Sequence, residues 1–179
     1  MSASICDISS YNFAQTDVLL IDANIWLYIH CPQARRDDIT PNYSNALAKI
    51  LKAKCSIFLD VLILSEFINS YSRIKYKLQR GQSDFKSYRQ SPFFKLVAKE
   101  IADAVRRILK HCECIESGFT SIDMKSLLTD YESKCPDFND QILAELCRSR
   151  SFKLVTHDGD FKDFDITILT ANKSMLDNR

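Results

Sequence analysis

Four acidic side chains stand where an apolar stretch has just ended or a helix is about to begin: Asp22 in VLLIDANIWLY, Glu66 in LILSEFINSY, Asp140 in FNDQILAEL and Asp158 in KLVTHDGDF. A carboxylate beside such runs is held near a core, where a lone charge is costly. Several converging on one place need cations to neutralise them. A ring of carboxylates without His or Cys is what Mg2+ or Mn2+ selects, and such ions orient a water, help deprotonate it and offset charge on a phosphate. Each acid also has a plain structural role open to it. Asp22 can cap the helix that follows it, Asp140 can complete a capping arrangement with Asp137, and Asp158 precedes Gly159 in a turn dipeptide. Glu66 is harder to explain that way, because no basic residue lies one turn away to pair with it.

Positioning these acids falls to short apolar runs at 18–21, 56–59, 113–115, 152–155 and 166–169, which read as strands separated by helical periodicity. Helices are expected from Asp22-Ala23-Asn24 to about residue 29, over 42–54, and from an Asp60 cap through Phe67 and Ser70. Others run from Pro92 to about 111, from Ser121 or Asp123 through Tyr131, and from Asp137 through Cys147. The polar segment GQSDFKSYRQSP reads as a linker or loop. Strands alternating with helices indicate an α/β chain whose central, mainly parallel sheet of about five strands is covered on both faces. In such sheets sites form beyond the carboxyl ends of the strands, which is where all four acids fall.

The 179 residues suit one packed domain over 1–179, and 46% hydrophobic with 26% charged residues excludes a disordered or fibrous chain. No apolar run is long enough for a membrane span, and MSASICDISSYNF lacks a basic patch followed by an apolar core, so a cytoplasmic location is expected. Seven scattered cysteines without a CxxC pair read as buried small hydrophobes or free thiols. His30-Cys31 and His111-Cys112-Glu113-Cys114 have no second knuckle and so do not make a zinc site. The net charge of +1 conceals an asymmetry. Between Ser70 and Lys110 eleven basic residues face three acids, interleaved with Tyr71, Tyr76, Phe85, Tyr88, Phe93 and Phe94. Cations alternating with rings suit single-stranded nucleic acid, and equally suit a solvated helical face with an aromatic core side.

Asp22-Ala23-Asn24-Ile25-Trp26-Leu27-Tyr28 resembles the opening motif of the PIN-domain nucleases. Ser65-Glu66-Phe67 resembles their second motif, Asp140-Gln141-Ile142-Leu143-Ala144 their third, and Val155-Thr156-His157-Asp158-Gly159-Asp160-Phe161 their fourth. The four follow in the family's order between residue 18 and about 170, and in size and motif style the chain is similar to the VapC-type toxins of prokaryotic toxin and antitoxin pairs. The resemblance implies a three-layer α/β/α, PIN-like core over about 17–170, a basic helical insertion over about 71–111, and a metal-dependent endoribonuclease. It implies Asp22, Asp140 and Asp158 as catalytic ligands of Mg2+ or Mn2+, direct or through water, with Glu66 completing the metal site or helping to activate the water. Asn24 and Thr156 match positions that orient such ligands, and Asp160 is an alternative fourth acid. His157 is left out, since the family needs no histidine.

The implied partners are an RNA substrate, a small antitoxin protein and a second copy of the chain met through apolar helix faces. The chain departs from the compact toxins in being longer, mainly within the basic stretch, where Arg73, Lys75, Lys77 and Arg80 are the candidate RNA contacts. Two other classes stay open. One is a PIN-like domain that binds RNA or protein without cutting; the other is a phosphatase- or receiver-like domain built around an aspartate, although no distant Lys partner stands out after Leu154.

Overall fold

Six short strands, every neighbouring pair parallel, form one sheet in the computed structural model, which describes residues 3–79 and 84–177. They are β1 (Ser4–Asp7), β2 (Val18–Ile21), β3 (Ser56–Asp60), β4 (Glu113–Ile115), β5 (Lys153–Val155) and β6 (Thr167–Thr170), in the spatial order β1-β6-β5-β2-β3-β4. Leu19, Leu20, Ile21, Leu154, Val155, Ile168 and Leu169 are buried. Helices cover both faces of the sheet, so the central strands read as continuous apolar runs rather than alternating ones. The fold is therefore the three-layer α/β/α arrangement.

The five expected strands are all present, and a sixth joins them at the edge. The added strand, β1, is a partly exposed edge paired with β6 from Ser4↔Thr167 to Asp7↔Thr170. Its sequence SICD holds a single aliphatic residue, so no apolar run marks it.

The helices are α1 (Ala23–His30), α2 (Thr40–Ala53), α3 (Val61–Lys77), α4 (Phe85–Gln90), α5 (Pro92–Leu109), α6 (Met124–Lys134), α7 (Phe138–Arg150) and α8 (Lys173–Leu176). Side chains of Asp22, Asp60, Asp84, Ser91, Asp123, Asp137 and Asn172 accept from first-turn N–H groups that have no intrahelical partner. None of the helices among the described residues is long and apolar enough to cross a membrane.

Two readings of the basic stretch change. The segment expected as a loop carries α4, capped by Asp84, whose Oδ1 accepts from the Ser87 N–H at 2.9 Å. The interleaved rings do not form an open stacking platform. Tyr71 and Tyr88 are buried, and Tyr88 lies 5.4 Å from both Tyr76 and Phe94, centroid to centroid. A short amphipathic helix amid polar residues shows too weak a stripe to be recognised from sequence, and packing Tyr71 and Tyr88, with Tyr76, Phe85 and Phe94 partly buried around them, outweighs leaving these rings in water. Arg80 and its neighbours 81–83 lie outside the described residues.

Sheet order decides where a site can form. From β2 the sheet extends through β3 and β4 on one side and through β5, β6 and β1 on the other. The strand order reverses between β2 and β5, where Ile21 is in register with Val155. Crevices at such reversals, beyond the carboxyl ends, are where α/β sheets bind ligands.

Candidate active site

Asp22 leaves the end of β2 and caps α1, and its carboxylate is 4% exposed. Its Oδ1 accepts from the Ala23 N–H at 2.6 Å, while Oδ2 accepts from Asn24 Nδ2 at 2.5 Å and from Thr156 Oγ1 at 2.7 Å. Thr156 follows β5 and is fully buried. Its hydroxyl also accepts from Asn24 Nδ2 at 3.1 Å and from the Asp158 N–H at 3.0 Å. Asn24 Oδ1 in turn accepts from the His157 N–H at 3.3 Å. The two chain segments flanking the β2–β5 reversal are thus sewn together through Asp22, Asn24 and Thr156. Asp158 starts a short 3-10 turn, and its Oδ1 accepts from the Asp160 N–H at 3.0 Å, leaving Asp160 itself exposed.

Glu66 projects from the second turn of α3 and Asp140 from the first turn of α7. The structure brings all four acids close enough for their charges to act on one another. Burial pushes Asp22 up to about 6, partly offset by the hydrogen bonds from Thr156 and Ala23, with the charge of Asp158 adding to the rise. Burial followed by the charges of Asp22, Asp137 and Asp158 pushes Glu66 up to about 7. Burial followed by Asp137, Asp22, Asp158 and Glu66 pushes Asp140 up to about 8. Glu66 remains solvent-exposed, so water screens part of the charge of its neighbours. Among the described residues, no basic side chain stands among the main causes of these three shifts.

The donor set therefore suits a hard divalent cation in chemistry and in charge: oxygen atoms only, gathered where negative charge lacks a counterion. Among the described residues no three His, Cys, Asp or Glu side chains form a ready-made metal site.

With that geometry in place, the sequence profile of the PIN domain matches residues 19–166. The chain belongs to the PIN-domain family. PIN domains are generally nucleases and typically use divalent metals. Among solved structures, this PIN domain is similar to VapBC2 from Rickettsia felis, a structure bound to a DNA fragment from their promoter, with 17% identity and a TM-score of 0.58. That match spans 86% of this chain and 98% of the other. PAE2754 from Pyrobaculum aerophilum aligns more loosely, with 14% identity and a TM-score of 0.49, over 92% of this chain and 97% of its own. None of the curated proteins matches the sequence.

The basic candidates lie apart from the acids along α3. Lys75 Nζ is 2.8 Å from Glu100 Oε2, Arg73 lies 4.9 Å over the Phe85 ring, and Lys77 is exposed. Arg80 falls outside the described residues. Sequence reasoning missed several neighbours of this PIN site. Asp137 was read only as a cap, yet its charge acts on both Glu66 and Asp140. Tyr43 lies on the buried stripe of α2 with Ala46 and Ile50, one turn before the residues that the periodicity picks out.

Tyr43 is fully engaged. Its hydroxyl donates to the Thr156 carbonyl oxygen at 3.2 Å, lies 2.9 Å from His157 Nδ1 and accepts from the Ala171 N–H at 3.0 Å. Tyr43→Phe leaves those buried groups short of a partner and should cost about 1–3 kcal/mol of stability. Denaturant unfolding at constant slope checks this, and an unchanged midpoint would show that the hydroxyl is dispensable.

Proposed function

We propose that this PIN domain is a divalent-metal-dependent endoribonuclease that hydrolyses RNA phosphodiester bonds in the cytoplasm, as the toxin of a toxin and antitoxin pair. The observation that carries the nuclease reading is joint: four carboxylates near one strand reversal, three of them raised by burial and by one another's charge. Separate helix caps have no reason to meet in one field.

Asp22, Glu66, Asp140 and Asp158 would hold Mg2+ or Mn2+. When bound, such an ion supplies Lewis-acid stabilisation of charge on the phosphate and its leaving oxygen. The chain's own residues do the rest. Asn24 and Thr156 fix the rotamer of Asp22, so its carboxylate needs no reorganisation as charge develops. Glu66, solvent-exposed and raised by burial and by the charges of Asp22, Asp137 and Asp158, would complete the metal site or help to take a proton from an attacking water. Asp160, two residues after Asp158, is the alternative fourth acid. Arg73 and Lys77 would meet RNA phosphates beyond the site, while Lys75 must first release Glu100.

Thr156→Val removes the hydroxyl that Asp22 and Asp158 share. It should lower cleavage by about 10–100-fold, the usual cost of losing a ligand-orienting partner. A kcat within twofold of the parent would place Thr156 outside the machinery.

The direct test is cleavage of a panel of single-stranded and structured RNAs with Mg2+ or Mn2+, with and without chelator. Cutting that needs the metal is expected. Failure to cut any RNA under either metal would turn the reading to a catalytically silent PIN-like domain that binds RNA or protein. The toxin reading rests on the shared fold with the VapBC2 structure and predicts that a short neighbouring reading frame encodes a protein that suppresses cleavage when coexpressed. The absence of any such frame would remove it. Exposed Phe93, Leu96 and Leu109 on α5 support self-association, which sedimentation would read.

A further inference from the structure

Beside the acid cluster lies a group of residues that the nuclease reading does not use. Arg36 belongs to the loop between α1 and α2, and its main chain is pinned at both ends of one turn. Its N–H donates to Thr40 Oγ1 at 2.9 Å, and its carbonyl oxygen accepts from the Thr40 N–H at 2.8 Å. Thr40 is 3% exposed, so the base of this loop is part of the packed structure. The guanidinium hydrogen-bonds Tyr28 and pairs with Asp38 at 3.3 Å, and the Asp38 pair, with side-chain exposures of 54% and 69%, is of the exposed kind that holds little energy. Phosphate oxygens, which a guanidinium grips through two parallel hydrogen bonds, compete readily with such a partner.

Arg36 also faces the site. Its charge acts on Tyr28 and on His157, and both of those side chains feel the charge of Asp158 as well. Tyr28 and His157 are half-buried and meet edge to face, with ring centroids 5.9 Å apart at 85°. His157 is held in place by Tyr43, whose hydroxyl lies 2.9 Å from Nδ1 and whose ring is 5.7 Å from the imidazole. The result is a fixed cation and two oriented rings on the rim of the carboxylates. A cation beside a ring pair is how proteins hold an unstacked nucleotide, because phosphate takes the charge and the base takes the ring.

We propose that Arg36, Tyr28 and His157 form a subsite for a single-stranded RNA nucleotide flanking the cleaved bond, with Arg36 on its phosphate and the rings against its base. This rests on the nuclease reading. It places that flanking nucleotide on the α1–α2 side of the acids, at the opposite end of the strand from the phosphates that Arg73 and Lys77 would meet.

The test is fluorescence-anisotropy titration of a single-stranded RNA oligonucleotide onto the Asp22→Asn chain, at several salt concentrations, with the parent's cleavage measured in parallel. Adding Arg36→Gln should weaken binding about tenfold and reduce the slope of log affinity against log salt by about 0.7, one phosphate contact on a single strand. Arg36→Lys should keep most of that slope. Tyr28→Ala should weaken binding by a similar factor without changing the slope, since stacking carries no counterion release. An Arg36→Gln chain of native circular dichroism that binds with unchanged affinity and slope overturns the subsite while leaving the nuclease intact. An Asp22→Asn chain that binds no RNA, from a parent that cuts none, brings down the nuclease reading and the subsite together.

Discussion

Asp22→Asn should lower RNA cleavage by about a thousandfold or more while leaving the fold in place. A metal-held carboxylate at the reacting phosphate contributes several kcal/mol, and each 1.36 kcal/mol is a factor of ten in rate. Asp22 is the buried member of the quartet and the one on which the others are organised: Asn24, Thr156 and the start of α1 all bind it. Asparagine caps helices about as well as aspartate, so its carbonyl oxygen can keep the Ala23 N–H bond. The new amide nitrogen meets the Asn24 amide and the Thr156 hydroxyl, so the Asn24 amide flips to accept from it and Thr156 gives up the bond it donated. What disappears is the charge. Loss of that charge from a site that lacks counterions should leave the melting temperature of the metal-free chain equal or higher, which separates lost chemistry from lost structure. Cleavage of RNA in Mg2+ or Mn2+, beside a thermal melt of the same preparation, decides the matter. A variant that still cuts at a tenth of the parental rate would remove Asp22 from the reaction.

The same residue shows why this site was partly legible before its geometry was known. Asp22 and Asp158 each cap the turn that follows them, Asp140 stands in the first turn that Asp137 caps, and the charges of all three act on one another. Only strand order separates the alternatives, and order follows from which apolar runs become neighbours. The runs at β2, β3, β5 and β6 are visible because burial on both faces makes them continuous. β1 was invisible because an edge strand needs no such run. Tyr88 and α4 were lost for a related reason, since their burial depends on Tyr76 and Phe94 arriving from two other helices. Asp137 had a complete local explanation as a cap, so nothing in its neighbourhood announced that its charge falls on Glu66 and Asp140. Arg36 sits in a polar loop among other charges, and only the folding of that loop against α2 brings it to the rim.

The raised carboxylates also predict how stability should depend on pH and metal. In the folded chain without metal, Asp22, Glu66 and Asp140 hold their protons up to about 6, 7 and 8, against ordinary values of 3.8, 4.5 and 3.8. Between about pH 4 and pH 8 the native state thus binds more protons than the unfolded chain. Stability then falls as pH rises through that window, because its slope with pH follows the protons bound in the unfolded state minus those bound in the native state. Below about pH 4 both states are protonated, and above about pH 8 both are ionised, so the dependence from these groups flattens at each end. A divalent ion favours the ionised form and reverses the trend. Its binding should release protons, and at about one hundred times its dissociation constant it should add about 2.7 kcal/mol, raising the melting temperature by about 5–10 °C at pH 7.5. At pH 5 protons compete for the same oxygens, and the shift should be much smaller. Asp140→Asn removes the acid raised furthest, so the metal-free variant should melt higher than the parent at pH 8 and respond less to Mn2+. Thermal melts from pH 4 to 8, in chelator and in Mn2+, measure all of this. A metal-free melting temperature that climbs steadily to pH 8, or a metal shift that Asp140→Asn leaves untouched, would mean that these carboxylates do not act as one charged site.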